Sequence, residues 1–399
     1  MKRFFSICLM VGLIVGEVNG QDKSNLLGQI NTITTSVPFL IIGPEARAGG
    51  MGDAGVASSP DANSIHWNPS KLAFLKKKTG FAISYTPWLR QLVPDINLAY
   101  VTGYHTLKNE QTVGASLRYF SLGNITFTDD KGNVTGQFNP NEFSFDIAYA
   151  RKLSENLSGG IALRYIYSNL TGGVDLTGGI NTKPGQSVSA DLSVYYEKEI
   201  ELSGRDAVFS SGLNISNIGS KISYTETGNK DFIPTNLRLG PGLKIKLNEY
   251  NELGLALDIN KLLVPTPPIY SDSVDSNGDQ LILYGNNPDV GVVEGIFQSF
   301  GDAPDGFSEE LKEFNIAFGA EYWYDQQFAF RAGYFYEHAT KGNRKYFTLG
   351  AGLRYNVFGL DFSYLIPTDQ RNPLENTLRF TLTFDFDALK AESKENSAQ

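Results

Sequence analysis

From residue 79 to residue 386 the chain repeats one pattern, an alternating run of apolar and polar residues followed by a turn or a loop. In "EFSFDIAYARK" the residues Phe143, Phe145, Ile147 and Tyr149 share one face, while Ser144, Asp146, Ala148 and Ala150 share the other. In "YFTLGAGLRYNVF" the residues Phe347, Leu349, Ala351, Leu353 and Tyr355 oppose Thr348, Gly350, Gly352 and Arg354. A period of two sends successive side chains to opposite faces of a sheet. About fourteen such runs occur, near 79–86, 95–105, 111–121, 142–152, 157–168, 187–198, 206–217, 236–248, 251–261, 313–325, 327–338, 345–356, 358–367 and 376–386. Strands of soluble sandwiches average about six residues, whereas a tilted strand needs about 9–11 to cross a bilayer. The runs have the longer length, with an apolar face suited to lipid and a Ser/Thr/Gly/Asp/Arg face suited to a lumen. The pattern predicts an all-β fold, a transmembrane antiparallel β-barrel of about fourteen strands.

The links between runs alternate in length. Those near 106–110, 153–156, 199–205, 249–250, 326 and 357 are short, and those near 122–141, 169–186, 218–235 and 262–312 are long; the remaining external links, 87–94, 339–344 and 368–375, are shorter and support the alternation only weakly. Short turns on one side of the membrane and long loops on the other are the habit of outer-membrane barrels. The last run, "TLRFTLTFDF", carries Leu378, Phe380, Leu382, Phe384 and Phe386 on one face, as a closing strand does.

The ends divide the chain further. Residues 1–20 read as a secretory leader: Lys2 and Arg3, an apolar stretch, then small residues before Gln21. Residues 21–78 do not alternate and form a compact plug or hatch segment; 387–399 form a polar tail. The single cysteine, Cys8, lies in the leader, so the mature chain has no thiol for a disulfide or a metal. His66, His105 and His338 are scattered singly and make no zinc constellation. The formal net charge of −9 argues against a nucleic-acid partner. No catalytic set, cofactor site or metal site is expected.

Within the plug segment, "PEARAGGMGDAGVASSPDANSIHWNPSKLAF" is rich in turn and small residues. Gly49, Gly50, Gly52 and Gly55 allow left-handed backbone and close approach. Asp53, Asp61, Asn63 and Asn68 suit caps and turns, and Pro69 follows Asn68 as a turn signal. A phosphate loop is disfavoured because "GGMGDAG" lacks the following Lys-Ser/Thr. "DSVDSNGDQ" (272–280) fits a calcium loop in neither register and reads as an exposed turn. No Gly-x-Ser-x-Gly elbow is present to support a hydrolase.

The block Pro38–Leu40, the run "PEARAGGMGDAGVASS", the run "DANSIHWNPSKLAF" and the alternating strands resemble the PorV family, from about residue 37 to residue 386. That family serves the type IX secretion system of Bacteroidetes, and its barrel is similar to the fatty acid transporter FadL. The resemblance implies a non-enzymatic protein of the Gram-negative outer membrane, in contact with membrane lipid, with its long loops outside the cell. It implies three protein partners: a large translocon barrel, secreted cargo bearing a C-terminal signal domain, and a cell-surface sortase that receives the cargo. Its plug-motif matches are Arg47, Gly49, Gly50, Gly52, Asp53, Asn63, Trp67, Asn68 and Pro69, taken as structural hatch residues. Protein binding needs aromatic and apolar anchors, and the external loops offer Trp88, Leu89, Phe127, Phe138, Tyr270, Val293, Ile296 and Phe297. "VGVVEGIFQSFGDA" has the spacing of a short helix. The alternative is a FadL-like transporter of hydrophobic small molecules, which needs a continuous apolar path.

Overall fold

The computed structural model describes residues 27–386, apart from 91, 92, 94, 129, 130, 173–181, 226, 227, 229, 275, 277, 279, 370 and 371. The leader, the polar tail and the three alternate oxygens of the acidic turn at Asp275, Asn277 and Asp279 lie outside the described residues. Among the described residues the alternating runs become strands β1 Thr79–Pro87, β2 Ile96–Thr106, β3 Gln111–Leu122, β4 Ile125–Thr128, β5 Val134–Phe138 and β6 Asn141–Lys152. There follow β7 Leu157–Asn169, β8 Gly185–Leu202, β9 Arg205–Gly219, β10 Asn236–Lys246, β11 Asn251–Leu262, β12 Ile269–Val274 and β13 Gln280–Tyr284. The last five are β14 Asn315–Tyr324, β15 Phe328–Tyr336, β16 Lys345–Tyr355, β17 Phe358–Pro367 and β18 Leu378–Asp385.

Fourteen of these strands close an antiparallel barrel in the order β1-β18-β17-β16-β15-β14-β11-β10-β9-β8-β7-β6-β3-β2. Closure runs through β1 and β18, with Gly80 opposite Asp385 and Tyr85 opposite Phe380. The remaining four strands form two separate hairpins, β4–β5 and β12–β13, inside long loops. Apolar side chains face outward and polar ones inward. In β7, Leu163 is 63% exposed while its neighbour Arg164 is 6% exposed. This inversion of the soluble pattern marks a wall built for lipid.

Long and short links occupy opposite ends of the barrel. Three short links carry consecutive left-handed residues, Asn109–Glu110, Ser203–Gly204 and Asp325–Gln326. Tight hairpins favour that conformation because it matches strand twist. One short link differs from expectation. Pairing of β8 with β9 continues to Leu202↔Arg205, so the turn is Ser203–Gly204 and not 199–205. The polar residues Glu197, Lys198 and Glu199 break the apolar pattern but keep their ladder bonds, because the backbone pairs whatever the side chains are.

The interior is filled by the N-terminal segment. It contributes a 3-10 turn at Pro38–Ile41, the helical turns α1 Ala46–Gly49 and α2 Ser64–Trp67, and a 3-10 segment at Pro69–Phe74. Three buried apolar clusters join it to the wall. Phe39 and Leu40 pack on Leu98, Phe120 and Ile166. Ile65 and Leu72 pack on Ala82, Ala148 and Ala162. Met51 and Ala54 pack on Ala256, Ala317 and Phe335.

Leu163→Arg should therefore destabilise the barrel by about 2–4 kcal/mol if the residue sits near the bilayer midplane. Urea titration of folding into lipid vesicles checks this, and Leu163→Phe should stay close to the parent.

Candidate functional site

The plug is held by charge. Glu45 caps α1, accepting from the backbone N–H groups of Arg47 at 2.5 Å and Ala48 at 2.8 Å. The indole Nε1 of Trp67 also donates to Glu45, at 3.0 Å, which ties the two helical turns together. Arg47 forms a bidentate pair with Glu321 on β14, at 2.9 and 2.7 Å, and reaches Asp61 at 2.9 Å. Glu321 accepts in turn from Arg331 at 2.7 Å, and Arg331 donates to Asp361 at 2.9 Å. Arg354 completes the relay by donating to Asp361 at 2.6 Å. The chain of charges thus runs from the plug across four neighbouring wall strands. Each member is buried or half-buried, so losing one partner leaves another charge uncompensated.

Other plug contacts follow the same logic. Asp53, in left-handed backbone at φ 64°, accepts from Arg379 at 2.5 Å and from the Tyr346 hydroxyl at 2.7 Å. Asp258 on β11 accepts from the Gly55 and Val56 N–H groups at 2.8 and 2.9 Å. Asn68 caps the following segment through Ser70 N–H and donates to Val194 O on the wall, both at 3.1 Å. Pro69 stands at the first position of that segment, where its missing N–H costs nothing. Asn63 is buried between Asp61 and α2, its N–H donating to Asp61 at 2.9 Å. Trp67 lies under Arg238, whose guanidinium carbon is 4.6 Å from the ring centre.

The glycines serve different ends. Gly52 needs its left-handed backbone, φ 69°. Gly49 and Gly50 are present for close approach: a Cβ on Gly50 would lie 3.0 Å from Gly350 Cα, and one on Gly49 would meet Arg379. The wall answers with its own glycine, since a Cβ on Gly160 would lie 2.7 Å from Ser70 Cα. Below the plug, at the short-turn end, a cavity of about 710 Å³ is lined by Lys76, Lys244, Glu197, Trp323 and Arg354.

The loop residues divide into two groups. Trp88 and Leu89 are half-buried and pack against both the Phe39 cluster and the Met51 cluster. They close over the plug and are not free anchors, because the apolar turn of the plug offers them a dry surface. Phe138 is half-buried, with its ring against Gly172, while Phe127 on β4 is 37% exposed. The 263–314 link holds the β12–β13 hairpin, α3 Val292–Gln298 and α4 Phe307–Lys312. On α3, Val293 and Phe297 are exposed and Ile296 is half-buried; on α4, Phe307 and Leu311 are exposed. Tyr270 on β12 is exposed. The hairpin, α4 and its outward pair were not anticipated from the sequence, although Phe307 and Leu311 stand at helical i, i+4 spacing.

This loop is not loosely attached. Lys341 donates to Glu309 at 2.6 Å and Glu313 at 3.0 Å, and Lys261 pairs with Glu310 at 3.1 Å and also with Glu313. Asn31, near the start of the plug segment, donates to Glu309 at 3.0 Å. Asp302 accepts from Thr266 N–H at 3.0 Å. Burial, with Glu310 and Glu313 close by, pushes the Asp302 carboxyl up to about 6.

The histidines lie apart. Arg118 can only donate, so at 2.6 Å it fixes His66 Nδ1 as an acceptor inside the plug. His105 meets Thr79 and His338 meets Thr340.

Comparison with known proteins places this arrangement. A family model described as type IX secretion system protein PorV matches residues 25–269, more than half of the chain. The match spans the plug and the wall as far as the start of the 263–314 link. No curated protein matches significantly. Among solved structures, the Pseudomonas putida toluene transporter TodX matches with TM-score 0.50 and 12% identity, covering 89% of this chain and 98% of that one. The Ralstonia pickettii toluene transporter TbuX matches with TM-score 0.47 and 12% identity, covering 86% and 97%. A Pseudomonas aeruginosa FadL homologue matches with TM-score 0.42 and 11% identity, covering 89% and 99%.

Two outcomes follow. Arg47→Met should cost about 3–5 kcal/mol by leaving Asp61 without its cation and Glu321 short of one, read as an earlier loss of the folded band on heating in detergent. The raised Asp302 carboxyl favours the protonated form in the fold, so its contribution is full below the ordinary Asp range and fades as pH rises through about 6. The protection factors of amides near Thr266, taken against their intrinsic exchange rates, should fall between about pH 5 and about pH 7, and Asp302→Asn should flatten that dependence.

Proposed function

The chain belongs to the PorV family of type IX secretion system proteins, and from that premise we propose that it is a cargo shuttle. It binds secreted proteins through their C-terminal signal domain beside the translocon barrel and delivers them to the cell-surface sortase, with no catalysis of its own. The family match over residues 25–269 carries this reading. An outer-membrane component of type IX secretion needs a surface for proteins more than a path for solutes. The long-loop end supplies one, facing outside the cell, with Val293 and Phe297 exposed on α3, and with Phe307 and Leu311 exposed on α4, which ion pairs to Lys261 and Lys341 hold in place. Exposed apolar side chains grouped on a rigid support are what protein anchors require.

The competing reading is transport of hydrophobic small molecules, by analogy with the toluene transporter TodX, whose fold is similar. Packing at the long-loop end disfavours it, because Phe39 and Leu40 of the chain's own plug are buried there against Leu98, Phe120 and Ile166 of the wall. The bidentate Arg47–Glu321 pair lines the cavity on its plug side.

Affinity purification of the tagged protein from gently solubilised outer membranes, followed by mass spectrometry, tests the proposal. Recovery of a very large barrel, a sortase-like protein or proteins sharing a C-terminal domain is expected. Recovery of the barrel alone with a co-purified fatty acid would favour transport. Replacing 288–300 by a short linker should leave the barrel folded and weaken capture of those proteins; unchanged capture would remove α3 from the binding surface.

A further inference from the structure

The plug segment enters the barrel from the long-loop end. The backbone N–H of Asn31 donates to Thr340 O, in the β15–β16 link, at 2.9 Å. Its side-chain amide donates to Pro267 O, in the 263–314 link, at 3.1 Å. Ser36 N–H donates to Phe232 O, in the β9–β10 link, at 2.9 Å. Residues 31–36 therefore form a strap tied to three external links, and the first buried residue after it is Val37.

Between its two pins the strap is a strand without a sheet. Residues 30–35 run without helix, turn or bend, and their exposure alternates. Ile30, Thr32 and Thr34 are exposed, while Asn31, Ile33 and Thr35 are half-buried. Five of these six residues are β-branched, the type that favours extended backbone. Yet the N–H and C=O groups of Thr32, Ile33, Thr34 and Thr35 pair with no described residue of the protein. Pinning at both ends has already removed much of the freedom that pairing would otherwise cost.

The chemistry of the strap decides what can cover it. Residues 30–36 carry no charge, so the backbone is the recognition element. Donors and acceptors that recur every two residues, about 6.6 Å, match another extended backbone. Lipid headgroups and ions offer no such row. A second copy standing beside this one in the membrane would have the pinning links of both chains between the two straps.

We propose that the strap at Thr32–Thr35 is a β-augmentation site, which takes an extended segment of a partner protein onto its unpaired backbone. Main-chain hydrogen bonds supply the affinity. Asn31 joins the strap to α4 through Glu309, so strand capture and the exposed Phe307 and Leu311 belong to one face. This rests on the reading that the long-loop end binds proteins, and adds how the partner's backbone is held.

The test uses the full chain in detergent and a fluorescent peptide of alternating Val and Thr with a Lys at each end. Its twin is N-methylated at two adjacent central residues, which blocks both edges at equal charge. Anisotropy should show the twin binding about tenfold or more weakly. The amides of Thr32 and Thr34 make no bond within the protein, so the double variant Thr32→Pro, Thr34→Pro should keep its folded band in detergent. It should bind both peptides equally, whereas Thr32→Ala, Thr34→Ala, which retains both amides, should still discriminate. If the proline variant fails to fold, the parent's discrimination between the two peptides decides alone. Equal binding of the peptides by the parent, or discrimination that survives in a folded proline variant, overturns the proposal. A parent dimer by light scattering that the proline variant lacks, without peptide discrimination, would assign the strap to a second copy and also overturn it. Strand capture can fail here while type IX partners still co-purify with the tagged protein, so the two readings fall separately.

Discussion

A backbone that crosses hydrocarbon must find all its hydrogen-bond partners within the protein, and every other feature of this molecule is arranged around that demand. Fourteen antiparallel strands meet it by closing on themselves, with β18 returning to β1. Once closed, the wall can expose Leu and Phe outward at no cost in lipid, and it turns its polar face into a lumen that must itself be satisfied.

The plug answers that second demand. A lumen lined by Arg118, Arg164, Arg331, Arg379, Asp146, Asp258, Glu321 and Asp361 would be costly if dry and unpaired. The wall pairs some of these internally, as Arg164 does with Asp146 and Asp191. The rest engage the N-terminal segment, through Arg47, Asp53 and the N–H groups of Gly55 and Val56. Apolar clusters fill the space between these contacts. The hydrophobic core of the molecule is thus the plug–wall contact, and the chain's own N-terminal segment occupies the lumen.

Function is left to the ends. The long loops are freed from the ladder requirement, so they carry separate hairpins and short helices. The 263–314 link is bound to the barrel by two lysines and three glutamates and still shows apolar side chains outward. The chain's membership of the PorV family makes it an outer-membrane component of type IX secretion, and an anchored apolar surface is the part of it open to partners.

The barrel was legible in the sequence because a two-residue period is local: each strand declares its own two faces, and link length declares which end it belongs to. The plug was legible as a segment that does not alternate, and its glycines and turn formers stood out by type. Their individual roles were not. Gly50 faces Gly350 across 300 positions of sequence, and Arg47 meets Glu321 across 274, and no local pattern links such residues. Trp88 and Leu89 looked like exposed anchors because a loop position says nothing of what lies beneath it; only the folded plug draws them inward. The sequence by itself determined the wall, through short-range alternation of hydrophobic and polar side chains. The tertiary structure alone decided which charges pair and which loop residues remain exposed, because both depend on contacts that exist only after the barrel has closed.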